Sequence, residues 1–436
     1  MNTRFNIKLG LEEIENESKE VEVLPIEEIS ESPDSFSLSD ISSDIHEVDS
    51  DTQDVSDAID AVVTLESIAL ELNSSLSVGG LTPLSLKITK LSLESLFKSL
   101  GTKSISLESF NDSSDNIAQT KVAVESIMGK IVSIIKAIIN SVKRGIEWIQ
   151  KFIRHIFNKF EALKDKIKSI RLALVKTTKD EASDKLFKSK SVIRFLKSDD
   201  KFDLVNELTH LTSFAKEYFS HINPEAKKLV DNINEIVKLI PDKDITPVLD
   251  KRLFLTMPGG MREGLIAGKS LKSDTIGGYI SKDTFPNNVK IFMSLPTTVY
   301  DNKSWDEAAK QCEFIVHSDN KEDAEITDVP VLDKKEIVIV LQHLEALCNE
   351  SINSKKEYNE FINNKNSVVK DLEHAMTKYS SSKSEADAGG YISPVLSRMK
   401  LLDNVYVNGT AHFSNYITKV LSSGITYSEF CVKAYA

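Results

Sequence analysis

The chain has 436 residues, 41% of them hydrophobic and 28% charged, with a formal net charge of -12. This length allows two or three domains with a sizeable core, and the balance is that of an ordinary soluble globular protein. Low glycine and proline, with plentiful lysine, isoleucine, asparagine and serine, disfavour barrels and sandwiches and favour helices.

The charge is unevenly placed. Residues 1–60 hold eighteen Asp and Glu against three Lys and Arg, so one segment sets the sign of the whole chain. This acidic leader (IEEISESPDSFSLSDISSDIHEVDSD) has few aromatics and repels itself, and it cannot bury enough apolar surface to offset its ordering entropy. Disorder is the expectation. It lacks the basic and apolar regions of a signal peptide.

Residues 61–125 read as an irregular thread carrying a short repeat. Leu65-Glu66-Ser67-Ile68, Leu93-Glu94-Ser95-Leu96, Leu107-Glu108-Ser109-Phe110 and Val124-Glu125-Ser126-Ile127 all follow the order apolar-Glu-Ser-apolar. Their unequal spacing excludes a solenoid.

From Ile127 the pattern becomes helical. Fifteen apolar residues recur at three- and four-residue steps from Ile127 through Ile138, Ile149, Phe160 and Ile170, predicting one very long amphipathic helix or a pair bent near Gly145. Its other face carries Lys136, Lys143, Arg144, Lys151 and Arg154 among other basic residues. Three roles suit such a face: plain solvation, contact with a membrane surface, or neutralisation of nucleic-acid phosphates without sequence readout. No recognition motif supports sequence-specific binding.

Helical patterns continue through DKLFKSKSVIRFLKS and FDLVNELTHLTSFAKEYFSHI, followed by a helix opened by Pro224 with Asn223 as cap. Residues 245–330 break the pattern with four short strand-like runs joined by Gly and Pro turns. Gly259-Gly260, Gly277-Gly278 and Gly389-Gly390 are read as turns, and Ser304 as the cap of a helix starting at Trp305. Helices resume near Asp333 and, after a Ser- and Gly-rich break at 380–390, run to the C-terminus.

The chain thus divides into an acidic leader (1–60), a thread with Glu motifs (61–125), a helical region (126–240), a small α+β insertion (241–331) and a C-terminal helical region (332–436). The expected fold class is mainly α, with long amphipathic helices in a helical body and a small β insertion, preceded by a disordered acidic N-terminal region.

Chemistry is sparse. No phosphate-binding, zinc-protease or nucleophile-elbow motif occurs, and residues 245–330 supply no convergent polar set. Cys312, Cys348 and Cys431 match no disulfide or zinc framework and suit a reducing compartment. The eight histidines lack paired metal spacing; His210 and His221 are three helical turns apart. The expectation is a non-enzymatic protein without catalytic residues, metal or cofactor, and no apolar stretch reaches the length of a membrane span.

A resemblance gives the glutamate motifs a meaning. Ala69-Leu70-Glu71, Ser92-Leu93-Glu94, Ser106-Leu107-Glu108 and Ala123-Val124-Glu125 are similar to the small-x-Glu signal cut by the head maturation protease of giant phiKZ-type tailed phages. Thr64-Leu65-Glu66 departs from it at the first position. The order of acidic leader, motif-bearing thread and basic amphipathic helix (VAVESIMGKIVSIIK, then RGIEWIQKFIRHIFNKFEALKDKIK) also resembles the internal head proteins of that group, over residues 1–175. Ser18-Lys19-Glu20 and Ala215-Lys216-Glu217 also fit the triplet, but the second falls in a predicted helix, where a protease cannot take the chain extended. The resemblance implies a virion structural protein carried inside the head, made in the host cytoplasm and trimmed after Glu71, Glu94, Glu108 or Glu125. Its partners would be the maturation protease, other capsid or inner-head proteins and packaged DNA, with a membrane surface less favoured. The alternative is an interaction or membrane-surface protein whose acidic tail masks its basic helix.

Charge supports the first reading independently. Residues 126–436 hold forty-six basic against forty-one acidic groups, so loss of the leader and thread turns an acidic chain into a mildly basic one.

Overall fold

A computed structural model describes the chain from Leu38 onward, apart from residues 100–115, 188–191, 197–201, 241–252, 298–301, 319–328, 382–391 and a few single positions. Nine α-helices are described: α1 (Leu38–Leu76), α2 (Pro83–Ser99), α3 (Asn116–Val175), α4 (Leu204–Leu239), α5 (Asn302–Gln311), α6 (Lys334–Asn353), α7 (Lys355–Ser381), α8 (Ser393–Leu401) and α9 (Asn408–Lys433). A π-helical turn (Leu402–Val407) joins α8 to α9 without a break. The molecule is mainly helical with a small sheet region.

α3 is continuous through Gly145 and about 90 Å long at the usual rise per residue. All fifteen apolar residues that predicted it are buried. It starts eleven residues before Ile127 because Ala123 and Val124 extend the same apolar stripe. The innermost element is α9, buried on nearly every side, as a helix without a consistently polar face must be. Close approach to it depends on glycine. A methyl group at Gly424 would lie 2.8 Å from Leu344 Cδ2, and one at Gly409 would lie 2.8 Å from Phe314 Cβ.

The insertion is a four-stranded antiparallel meander, β2 (Met261–Glu263), β3 (Ile276–Ser281), β4 (Val289–Pro296) and β5 (Phe314–Ser318). An aromatic cluster fixes it to the helices: Phe314 packs on Tyr218 of α4, and Phe413 of α9 packs on Phe214 and Tyr218. Asp333 caps α6 with a reciprocal capping box to Glu336, where the helical pattern was expected to resume.

Several local expectations are corrected. Residues 61–76 and 83–99, expected as an irregular thread, lie in α1 and α2, and α1 begins at Leu38 within the expected acidic leader because it has an apolar face to bury. Within DKLFKSKSVIRFLKS, Leu186–Phe187 form a short strand, β1, paired antiparallel with β6 (Val329–Pro330). Pro224 lies inside α4 and Asn223 does not cap a helix. The ring sacrifices one backbone hydrogen bond, but Ile222, Ala226, Leu229 and Val230 on both sides are buried, and packing carries the helix across the break. Gly277 and Gly278 sit within β3, where a side chain at 278 would strike Leu265 at 2.3 Å. Ser304 and Trp305 lie within α5, which begins at Asn302. Gly259-Gly260 does form a turn; Gly389-Gly390 lies outside the described residues.

Candidate functional site: the seam between an acidic and a basic helix

α1 carries ten Asp and Glu and no Lys or Arg, whereas α3 carries twelve Lys and Arg against four Asp and Glu. The two helices pack together. The chain leaves α1 beside the start of α3, where the Leu81 N–H donates to Thr120 Oγ1 at 3.0 Å, so the helices run antiparallel.

The contact is built on an apolar stripe. Ala58, Ile59, Ala61, Val62, Leu65, Ala69 and Leu72 are all buried. Each of the four larger side chains contributes about 1.5–3 kcal/mol of gross burial free energy. Their three- and four-residue steps straddle residue 60, the expected boundary between leader and thread, and three of the seven are alanine, so no helix was expected there.

Glu66 is the unusual residue of this face. Its side chain is buried and accepts the backbone N–H of Ile392 at 3.2 Å and of Ser393 at 2.9 Å. Those donors open α8, where Pro394 supplies no N–H and Ile392 offers no side-chain cap. Glu66 thus caps α8 from another part of the chain, favoured by the partial positive charge of a helix start. Burial nevertheless pushes its carboxyl pKa up to about 7, against the lowering effect of the two N–H groups. Two turns away, Asp60 pairs with Lys400 of α8 at 3.1 Å and Lys310 of α5 at 3.9 Å.

The glutamates of the processing motifs fall differently. Glu71 lies in the last turns of α1, Glu94 in α2 and Glu125 in α3, with Ala69, Leu93, Ala123 and Val124 of their triplets buried. Glu108 lies outside the described residues. On the basic face, Lys136, Arg144 and Lys151 are exposed, while Lys143 and Arg154 are half-buried. Lys143 pairs with Glu373 of α7 at 2.7 Å, and Arg154 donates to the Gln150 carbonyl at 3.4 Å. The structure therefore brings the basic residues onto one helix and spreads Glu71, Glu94 and Glu125 over three.

A second polar cluster, missed in the sequence, lies under α8. The Arg398 guanidinium is fully buried, stacks on Trp305 at 4.1 Å, and donates to Asn232 Oδ1 at 2.7 Å and the Pro394 carbonyl at 2.9 Å. Desolvation lowers its pKa to about 9. Nearby, Lys365 of α7 pairs with Asp403 in the π turn. His210 and His221 make separate contacts, to Asp283 at 3.8 Å and to the Thr256 carbonyl at 2.8 Å. Among the described residues no group of three or more His, Cys, Asp and Glu could hold a metal, and no helix is long and apolar enough to cross a membrane.

The sequence model of the phiKZ-like phage internal head proteins matches residues 40–429. The chain belongs to that family. The match begins two residues into α1 and ends in α9, so the shared region includes the acidic helix as well as the body it packs on. Membership makes this internal head protein a component of the phage head. No curated protein and no solved structure matches the chain.

Proposed function

We propose that this internal head protein is a non-enzymatic structural component made as an acidic precursor and matured by proteolysis after glutamate. One observation carries the reading. The small-x-Glu triplets cluster in the thread between the acidic leader and the body, and the residues beyond Glu125 are net basic. An acidic precursor disfavours early DNA contact during assembly in the host cytoplasm, and a mildly basic product is compatible with packed DNA and with delivery alongside it. The proposed partners are the head maturation protease, other capsid or inner-head proteins and the DNA backbone.

The helices set conditions on maturation. A protease binds its substrate extended, so cleavage after Glu71, Glu94 or Glu125 requires local unwinding of α1, α2 or α3. Replacing Glu71, Glu94, Glu108 and Glu125 together by Gln in the phage should leave an unprocessed chain in the heads. Normal processing of that variant would sink the assignment of these motifs.

The packing of α1 on α3 favours a second reading, in which the acidic helix is a lasting mask over a basic interaction surface. Binding to anionic vesicles that is weak for the full chain, rises when residues 1–78 are removed and is lost again when Lys136, Arg144 and Lys151 are replaced by Glu would support it over the first.

A further inference from the structure

We propose that α1 is a separable helical plug, which stays docked in the groove formed by α3, α8 and α9 after the chain is cut between α1 and α3. The biological occasion for such a cut rests on the proteolytic maturation proposed above; the docking does not.

The two N-terminal helices are held very differently. Among its described side chains α1 buries seven apolar ones. α2 buries Leu93 and leaves Leu84, Ile88 and Leu91 exposed at 69%, 57% and 58%. A cut after Glu94 therefore severs a loosely held connection and leaves the tightly packed helix in place. A cut after Glu71, by contrast, would detach the final turn of α1 with its buried Leu72.

The groove is specific for this occupant. Its floor takes an apolar stripe, the start of α8 presents two N–H groups to Glu66, and Lys400 and Lys310 receive Asp60. A strongly acidic helix along a strongly basic one adds a longer-range attraction that salt weakens. None of these contacts depends on the covalent link. That link leaves α1 through a turn at 77–82 in which Gly79 and Gly80 adopt left-handed φ of +103° and +81°. Val78 in the same turn is 83% exposed. The charge reversal of maturation is then completed when α1 leaves, not when the chain is cut, and polyanionic DNA is a natural competitor for the basic helix.

The test uses the full chain with a site-specific protease sequence inserted between Val78 and Gly79. After digestion at pH 6 and low salt, size-exclusion chromatography and native mass spectrometry should find the N-terminal fragment bound to the body. Glu66→Leu in the same background should speed fragment release by about tenfold or more, because two buried N–H groups lose their acceptor. Lys400→Ala, a milder change, should speed it less. Immediate release from the unsubstituted chain, whether or not the body keeps its fold, would overturn the proposal. Because the cut is engineered, this outcome is independent of whether natural processing occurs.

Discussion

Glu66 and Ser393 are 327 positions apart in the chain, and the carboxylate of the first accepts the backbone N–H of the second at 2.9 Å. This bond, with its neighbour to Ile392, ties an acidic N-terminal helix to the start of α8 in the C-terminal part of the molecule. The fold of the precursor therefore closes through a segment that maturation is proposed to separate.

Substitutions at Glu66 should distinguish capping from charge. Glu66→Leu leaves two buried N–H groups without an acceptor and should destabilise the chain by about 1–3 kcal/mol at pH 6. Glu66→Gln keeps an acceptor oxygen and should lose less than half as much. Urea denaturation of both variants beside the parent chain measures the difference.

The pH dependence has a definite sign. Glu66 has a folded-state pKa raised from 4.5 to about 7, so the folded chain holds a proton that the unfolded chain releases. Its contribution is fully present below about pH 4.5 and is lost as pH rises through about 7, a change on the order of 3 kcal/mol. No charged side chain is among the causes of this shift; Asp60, Lys400 and Lys310 form the ion pairs of the same seam. The stability of Glu66→Gln relative to the parent should therefore improve between pH 5.5 and 8.5. A constant difference across that range would contradict the assignment.

Arg398 offers a contrast between volume and charge. Arg398→Ala opens a cavity beside Trp305 and strips Asn232 of its donor, which should cost about 2–5 kcal/mol. Arg398→Met refills much of the volume and removes a buried cation whose hydrogen bonds run to an amide and a carbonyl, so it should lie much closer to the parent. Thermal unfolding of the two variants tests the ordering.

The three cysteines should be silent in the folded protein. All are buried free thiols, and desolvation pushes Cys348 up to about 12 and Cys431 up to about 11, with Cys312 higher still. Thiolate is the reactive form. Alkylation at pH 8 should therefore modify none of the three within minutes in native buffer and all of them in denaturant, as read by intact mass.

What could be read from the residues depended on how cleanly period and chemistry coincided. The α3 stripe was legible because isoleucine and phenylalanine alternate with lysine and arginine at helical steps over many turns. The meander was legible because Gly and Pro punctuate short β-branched and aromatic runs. α1 was not, because its stripe from Ala58 to Leu72 is partly alanine and straddles the expected boundary at residue 60 between an acidic leader and a Ser-rich thread. Pro224 misled because local backbone preference yields to burial on both sides of it. Glu66 as a cap, and Arg398 on Trp305, join residues far apart in the chain, and no local pattern announces such pairs. The family resemblance lay in the first 175 residues, whereas the family match runs from 40 to 429.

The most direct measurement is the intact mass and N-terminal sequence of this internal head protein purified from mature heads. Proteolytic maturation requires a body chain that begins immediately after one of the clustered glutamates, Glu71, Glu94, Glu108 or Glu125. A single full-length chain beginning at Met1 or Asn2 would contradict maturation and leave α1 as a permanent mask over the basic helix.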